Sequence, residues 1–155
     1  MAFSSEHFSV KELVSRETYQ RHGEQAIYML DDRLLRTLDA LRKRFGPCTI
    51  NNWSWGGSFN QSGLRDVSFY GSVPKFEASR SQHKFGRAAD CKFRDYSASE
   101  VRKYVLENPD EFPFITFLEV GIGWFHFDVR NGDSIVCWSP DDGYVSNEEV
   151  TRRNL

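Results

Sequence analysis

The chain contains four histidines, His7, His22, His83 and His126, and two of them stand where metal chemistry is possible. His83 lies in Ser81-Gln82-His83-Lys84-Phe85-Gly86-Arg87-Ala88-Ala89-Asp90, seven residues before a carboxylate with a glycine between. A tight turn at Gly86 would bring both side chains to one point. His126 lies in Trp124-Phe125-His126-Phe127-Asp128-Val129-Arg130. Strand alternation there places Trp124, His126 and Asp128 on one face and Phe125, Phe127 and Val129 on the other. Two imidazoles and one carboxylate, with a fourth position left for water, form the donor set of a catalytic zinc site rather than of a closed structural one. His7 and His22 sit in polar, helix-flanking sequence and are expected at the surface. Cys48, Cys91 and Cys137 are odd in number and form no C-x-x-C pair. They are expected as free thiols rather than ligands, with Cys91 pointing away from Asp90 into the core.

These residues need a scaffold, and its elements are legible in part. Ser9 and Glu12 have capping-box spacing ahead of a short helix through Leu13 and Val14. Leu34, Leu38, Leu41 and Phe45 share one face of a longer helix over about 31–45, which Gly46 and Pro47 terminate. Residues 48–53 (CTINNW) are expected as a buried strand, and 56–81, dense in Gly, Ser, Asn and Pro, as one long loop. A strand follows Gly86 in RAADCKF. Ser97 and Glu100 repeat the capping box before a helix that ends by Pro109. Strands are expected over 114–120, 123–130 and 134–138, the first two joined through Gly121. Residues 139–155 are expected as a polar tail, partly disordered. Helices first and strands last give a single α+β domain with an antiparallel sheet over 1–155.

Composition narrows the function classes. Twenty basic against 22 acidic residues, a net charge of -2, argue against an electrostatic nucleic-acid binder. No apolar run approaches the roughly 18 residues of a membrane span. The opening MAFSSEHFSVKELVSRE lacks the basic and apolar regions of a secretory signal, so synthesis in the cytoplasm is expected. Aromatic residues make up 15% of the chain, which points to a ring-rich core.

The string from Ser81 to Asp90 matches S-x-H-x-x-G-x-A-x-D at every fixed position, and a W-x-H-x-D strand follows. The pair resembles the M15 family of zinc peptidases: D-alanyl-D-alanine carboxypeptidases and dipeptidases, and phage peptidoglycan endopeptidases, with a fold shared by the hedgehog signalling domain. The similarity extends to F-x-x-x-E-L-V-S at 8–15, LRKRFG at 41–46, INNW at 50–53 and SGLR at 62–65, and covers roughly residues 8–130. It implies one zinc ion held by His83, Asp90 and His126, and an oxyanion-facing role for Arg65. Read from the sequence alone, Arg65 would be a loop arginine paired with Asp66. Many relatives carry a carboxylate three residues before the last histidine, where this chain has Gly123. Glu119 is then the expected general base, reaching back across Gly121 and Gly123, with Asp128 as the competing candidate or as an acceptor orienting the imidazole. Ser81 is expected to hold loop backbone beside the ligands. Trp53, Trp55 and Trp124 are candidates for a groove taking a glycan or stem peptide, against ordinary core packing.

The resemblance implies hydrolysis of peptidoglycan stem peptides by a monomeric endolysin-type or virion-borne endopeptidase acting on the cell wall. A D-alanyl-D-alanine carboxypeptidase is the alternative within the enzyme class. A zinc-containing wall-binding or phage tail module without turnover is the alternative outside it.

Overall fold

The computed structural model describes residues 2–155. Two short helices, α1 (Val10–Leu13) and α2 (Arg16–His22), precede α3 (Asp32–Phe45). The expected capping box opens α1, with the Ser9 N–H donating to Glu12 Oε2 at 2.8 Å. α3 starts on Asp31, whose carboxylate accepts from Arg33 N at 2.9 Å, and stops at Gly46, φ 81°. Leu34, Leu38, Leu41 and Phe45 are all buried along its inner face, as their spacing requires.

The strands are β1 (Cys48–Thr49), β2 (Ala88–Phe93), β3 (Phe117–Glu119), β4 (Phe125–Asp128), β5 (Val136–Ser139) and β6 (Gly143–Val145). Between them lie α4 (Val67–Tyr70), α5 (Val73–Ala78) and α6 (Ala98–Glu107), and α7 (Asn147–Arg153) follows β6. The six strands form one sheet in the order β1-β2-β4-β3-β5-β6. Helices packed with one sheet make the fold α+β. Inward-facing Ala89, Cys91, Leu118, Phe125 and Phe127 join the α3 leucines in a single core.

The sheet is mixed, not antiparallel throughout: β3 and β5 run parallel. β4 folds back on β3 and has β2 on its other side, so the chain leaving β4 must pass β3 to find a free edge. It reverses once on the way and arrives parallel to β3. The segment expected as a tail is ordered. β6 pairs with β5, and α7 is capped by Ser146, whose hydroxyl accepts from Glu149 N at 3.2 Å, with Val150 buried. A three-residue strand and a helix with one buried apolar residue leave too little pattern to read. The 56–81 stretch likewise holds α4 and α5, capped by Asp66 and Ser72 and too short to show a period. Residues 48–53 are a strand only at Cys48–Thr49. Beyond it Asn51 leaves the sheet, donating to Glu12 O and Val14 O at 3.0 Å each, and Trp53–Trp55 form a single 3-10 turn.

Candidate metal centre

The register of the central strands sets out the site. Asp90 on β2 and Glu119 on β3 are both direct partners of His126 on β4, so the three occupy one row across adjacent strands. Cross-strand partners share a face, and that face is opposite to the one carrying Cys91, Phe125 and Phe127. His83 reaches the row from a 3-10 turn, Gln82–Phe85, that ends at Gly86 with φ 69°. A Cβ at Gly86 would lie 2.1 Å from Met29 O, so glycine is required there by conformation and by space.

His83 Nε2, His126 Nδ1 and Asp90 Oδ1 converge. They are separated by 3.3 Å (His83 to His126), 2.8 Å (His126 to Asp90) and 3.2 Å (His83 to Asp90). All three side chains are buried. The outward atom of each ligand is held by a different group. His83 Nδ1 donates to Gly63 O at 2.8 Å. Asp90 Oδ2 accepts from Arg65 Nη2 at 3.1 Å. His126 Nε2 faces Asp128 Oδ2 at 3.4 Å. With the protons on His83 Nδ1 and His126 Nε2, the inward nitrogens carry lone pairs aimed at a carboxylate oxygen. Three electron-pair donors facing one another repel unless a proton on His126 Nδ1 or a metal cation sits among them. A tetrahedral zinc with bonds of about 2.0–2.2 Å separates its ligand atoms by about 3.3–3.6 Å, so the donor set suits that ion, the two His83 spacings lie at the lower end of its range, and the 2.8 Å from His126 to Asp90 must open slightly to admit it.

The surrounding charges favour a cation. Burial opposes ionisation of Asp90, but the hydrogen bonds from His126 and His83 prevail and hold its carboxyl below the ordinary range. Burial also opposes charging of His126, yet Asp128 and Asp90 on its two nitrogens push it up to about 9. His83 is shifted down, chiefly by burial.

Asp128 is fully buried and clamped by Arg130, whose Nε and Nη2 donate at 2.7 and 2.6 Å. The Arg130 guanidinium stacks 3.6 Å over the Phe117 ring. Arg65 is fixed twice more, by Nε donating to Gln61 O at 2.9 Å and by stacking 4.1 Å over Phe69. Its ion partner is Asp90, not Asp66. Asp66 instead accepts from the Ser15, Thr18 and Ser68 hydroxyls. Arg102, buried on α6, holds the β3–β4 loop by donating to Ile122 O at 2.7 Å and Trp124 O at 2.6 Å.

An open cleft of about 550 Å3 covers this face, and Glu119, Ser81, Trp124 and Arg130 line it. The Ser81 hydroxyl does not cap the turn that follows it. Of the three tryptophans only Trp124 belongs to the cleft. The Trp53 indole donates to Val14 O at 3.0 Å and its ring packs on Tyr19, while Trp55 lies in an exposed turn. Sequence reasoning passed over Arg130, Phe117, Trp138 and Tyr144. Period-two spacing from Asp128 marks Arg130, but Tyr144 lies in a stretch without strand pattern.

The three cysteines are free. Cys91 is buried in the core, and burial pushes the Cys137 thiol up to about 11. No helix among the described residues is long and apolar enough to cross a membrane. No protein-family model, no curated protein and no solved structure matches the chain.

Proposed function

We propose that this chain is a zinc-dependent peptidase hydrolysing peptide bonds in peptidoglycan stem peptides, with the hedgehog-like fold and the chemistry of the M15 peptidases its motifs resemble. The observation that carries the reading is the convergence of His83 Nε2, Asp90 Oδ1 and His126 Nδ1, each with its outward atom already held. Outer partners of this kind fix ligand tautomers and orientation in metal sites. Zinc held by these residues supplies Lewis acidity and brings the pKa of a water toward about 7.

The chain's own groups divide the remaining work. Glu119 stands one strand from His126 and lines the cleft, so its carboxylate takes the proton of the attacking water and returns it to the leaving amine nitrogen. Arg65 is immobilised by Asp90, Gln61 O and Phe69, and presents a fixed positive charge to the developing oxyanion without having to reorganise. Asp128 is no base: Arg130 and His126 occupy its oxygens in a fully buried position. It orients the His126 ring. The cleft is lined by Glu119, Trp138 and Tyr144 as well as by the three converging side chains, and it is open. The endopeptidase is the reading adopted, with a carboxypeptidase removing terminal D-alanine as the alternative. Action on the wall follows release from the cytoplasm or delivery in a virion.

Mass spectrometry of peptidoglycan incubated with the zinc-loaded protein tests the reading. New peptide termini that disappear with a chelator are expected, and free D-alanine alone would select the carboxypeptidase. Glu119→Gln should lower turnover by about 10²–10⁴ with zinc still bound. Absence of cleavage by wild type holding one zinc would replace the enzyme by a wall-binding module.

A further inference from the structure

A second recognition surface continues the same residue row. β5 is registered so that Trp138 neighbours Glu119, and Tyr144 on β6 is the direct partner of Trp138. Partners across an antiparallel pair hold their Cβ atoms about 5 Å apart on one face. Two aromatic residues therefore share one face next to Glu119, and Trp124 lines the same cleft.

Most rings in the molecule are engaged with one another or with a cation, and of the exposed ones that are not, Tyr28, Trp55 and Phe114 lie outside the cleft. Phe45 packs against Phe93, Tyr96, Tyr104 and Phe112, and Phe125 against Phe93 and Phe127. Among the described residues, Trp124, Trp138 and Tyr144 enter no ring pair and carry no cation over their faces. Tyr144 is 78% and Trp124 42% exposed. The apolar part of the cleft wall consists of rings alone, with no Leu, Ile, Val or Met among the described residues lining it.

We infer that Trp138 and Tyr144, with Trp124, form a shelf that stacks a carbohydrate ring. A pyranose presents a face of C–H bonds, partly positive, which suits the negative face of an aromatic ring, while its equatorial hydroxyls point outward and need polar partners. The cleft lining offers both: aromatic rings for the sugar plane, and the polar Arg80, Gln82 and Glu119. An aliphatic side chain would call instead for aliphatic lining, which the cleft lacks. The inference deepens the peptidase reading, and rests on it, in naming the glycan that carries the peptide as the occupant beyond Glu119. Its test uses no turnover.

The test is a titration of the 15N-labelled, zinc-loaded protein with a β-1,4-linked N-acetylglucosamine tetrasaccharide, followed through the indole N–H signals. Saturable shifts of Trp138 and Trp124 are expected, with Trp53 and Trp55 unmoved. Tyr144→Ala, at a position 78% exposed and so without consequence for folding, should weaken binding tenfold or more. Trp55→Ala, outside the cleft, should leave it unchanged. No saturable shift at Trp138, or a Tyr144→Ala protein that binds like wild type, overturns the shelf. A protein that binds the tetrasaccharide but releases no peptide termini retires the peptidase and keeps the shelf. One that cuts free stem peptide without binding the saccharide does the reverse.

Discussion

Asp128→Asn isolates the contact that sets the His126 tautomer. The substitution keeps volume in a fully buried site but exchanges one acceptor oxygen for an NH2 donor. In the wild type Arg130 holds both oxygens, Nε donating to Oδ1 at 2.7 Å and Nη2 to Oδ2 at 2.6 Å, and its backbone N–H also donates to Oδ1. An amide nitrogen at the Oδ1 position would meet two donors that cannot yield, so it is expected at the Oδ2 position, where His126 Nε2 can become the acceptor and the ring proton moves to Nδ1, the atom aimed at the candidate metal position. Loss of such an outer partner costs about 10–100-fold in metal affinity, or about 1.4–2.7 kcal/mol. At saturating zinc the same amount leaves the metal-linked stability, and the zinc-induced rise in Tm should shrink by roughly 3–11 °C. The metal-free protein is destabilised too, but modestly, because the Arg130 side chain is 38% exposed and regains water. Comparing the Tm increment with and without zinc, rather than Tm itself, separates the two effects. Competition against a chromogenic chelator gives the affinity directly, and long-range 15N NMR of the zinc-loaded wild type should show His83 bound through Nε2 and His126 through Nδ1. A variant within twofold of wild type in zinc affinity, with an unchanged Tm increment, refutes the tautomer argument.

Two further predictions concern the supports of the site. A Cβ at Gly63 would lie 2.1 Å from Leu13 O, so Gly63→Ala should cost about 1–3 kcal/mol, lower Tm by roughly 2–12 °C and weaken zinc binding by moving the carbonyl that holds His83. Thermal unfolding and the chelator competition check both effects, and a loss of stability with zinc affinity intact would break the link to His83. Asp66→Ala should cost about 1–3 kcal/mol at pH 7, since it removes the acceptor of the Ser68 N–H and the charged acceptor of the buried Ser15 hydroxyl, which then has only Thr18 Oγ1. Burial raises the Asp66 carboxyl but its hydrogen bonds from Ser15, Ser68 and Gln61 lower it further, so the wild-type advantage is complete above the ordinary value of 3.8 and closes as pH falls below it. Urea unfolding between pH 7 and about pH 2.5 reads that closure, and a gap that stayed constant would contradict it.

The three residues of the candidate metal centre were legible because their information is local. His83, Gly86 and Asp90 fall within one turn and the start of one strand, and period two assigns the faces of Trp124–Arg130. Glu119 was reachable by the same logic, since the two glycines allow a hairpin whose register sets it opposite His126. Arg65 was ambiguous from sequence because Asp66 is its neighbour in the chain while Asp90 is its neighbour in space. The parallel β3–β5 pair was invisible for a related reason: pattern marks where strands lie but not which edge a returning strand can still occupy. Trp53 and Trp55 carry the same composition signal as Trp138 and Trp124, and only the departure of the chain from the sheet after Thr49 removes them from the cleft.

The placement of β5 also bears on how the chain is made. The three converging donors are all made by residue 126, whereas Trp138 and Tyr144 follow later. A growing chain thus holds its candidate metal centre before it holds the rings beside it. Until β5 docks, β3 is an open edge. The Thr116 carbonyl and the Val120 N–H, later taken by Val136 N at 3.0 Å and Trp138 O at 2.8 Å, are free to pair with another molecule. The segment from Val136 onward is therefore an edge guard, and a chain cut short before it should self-associate through β3 rather than persist as a smaller folded domain.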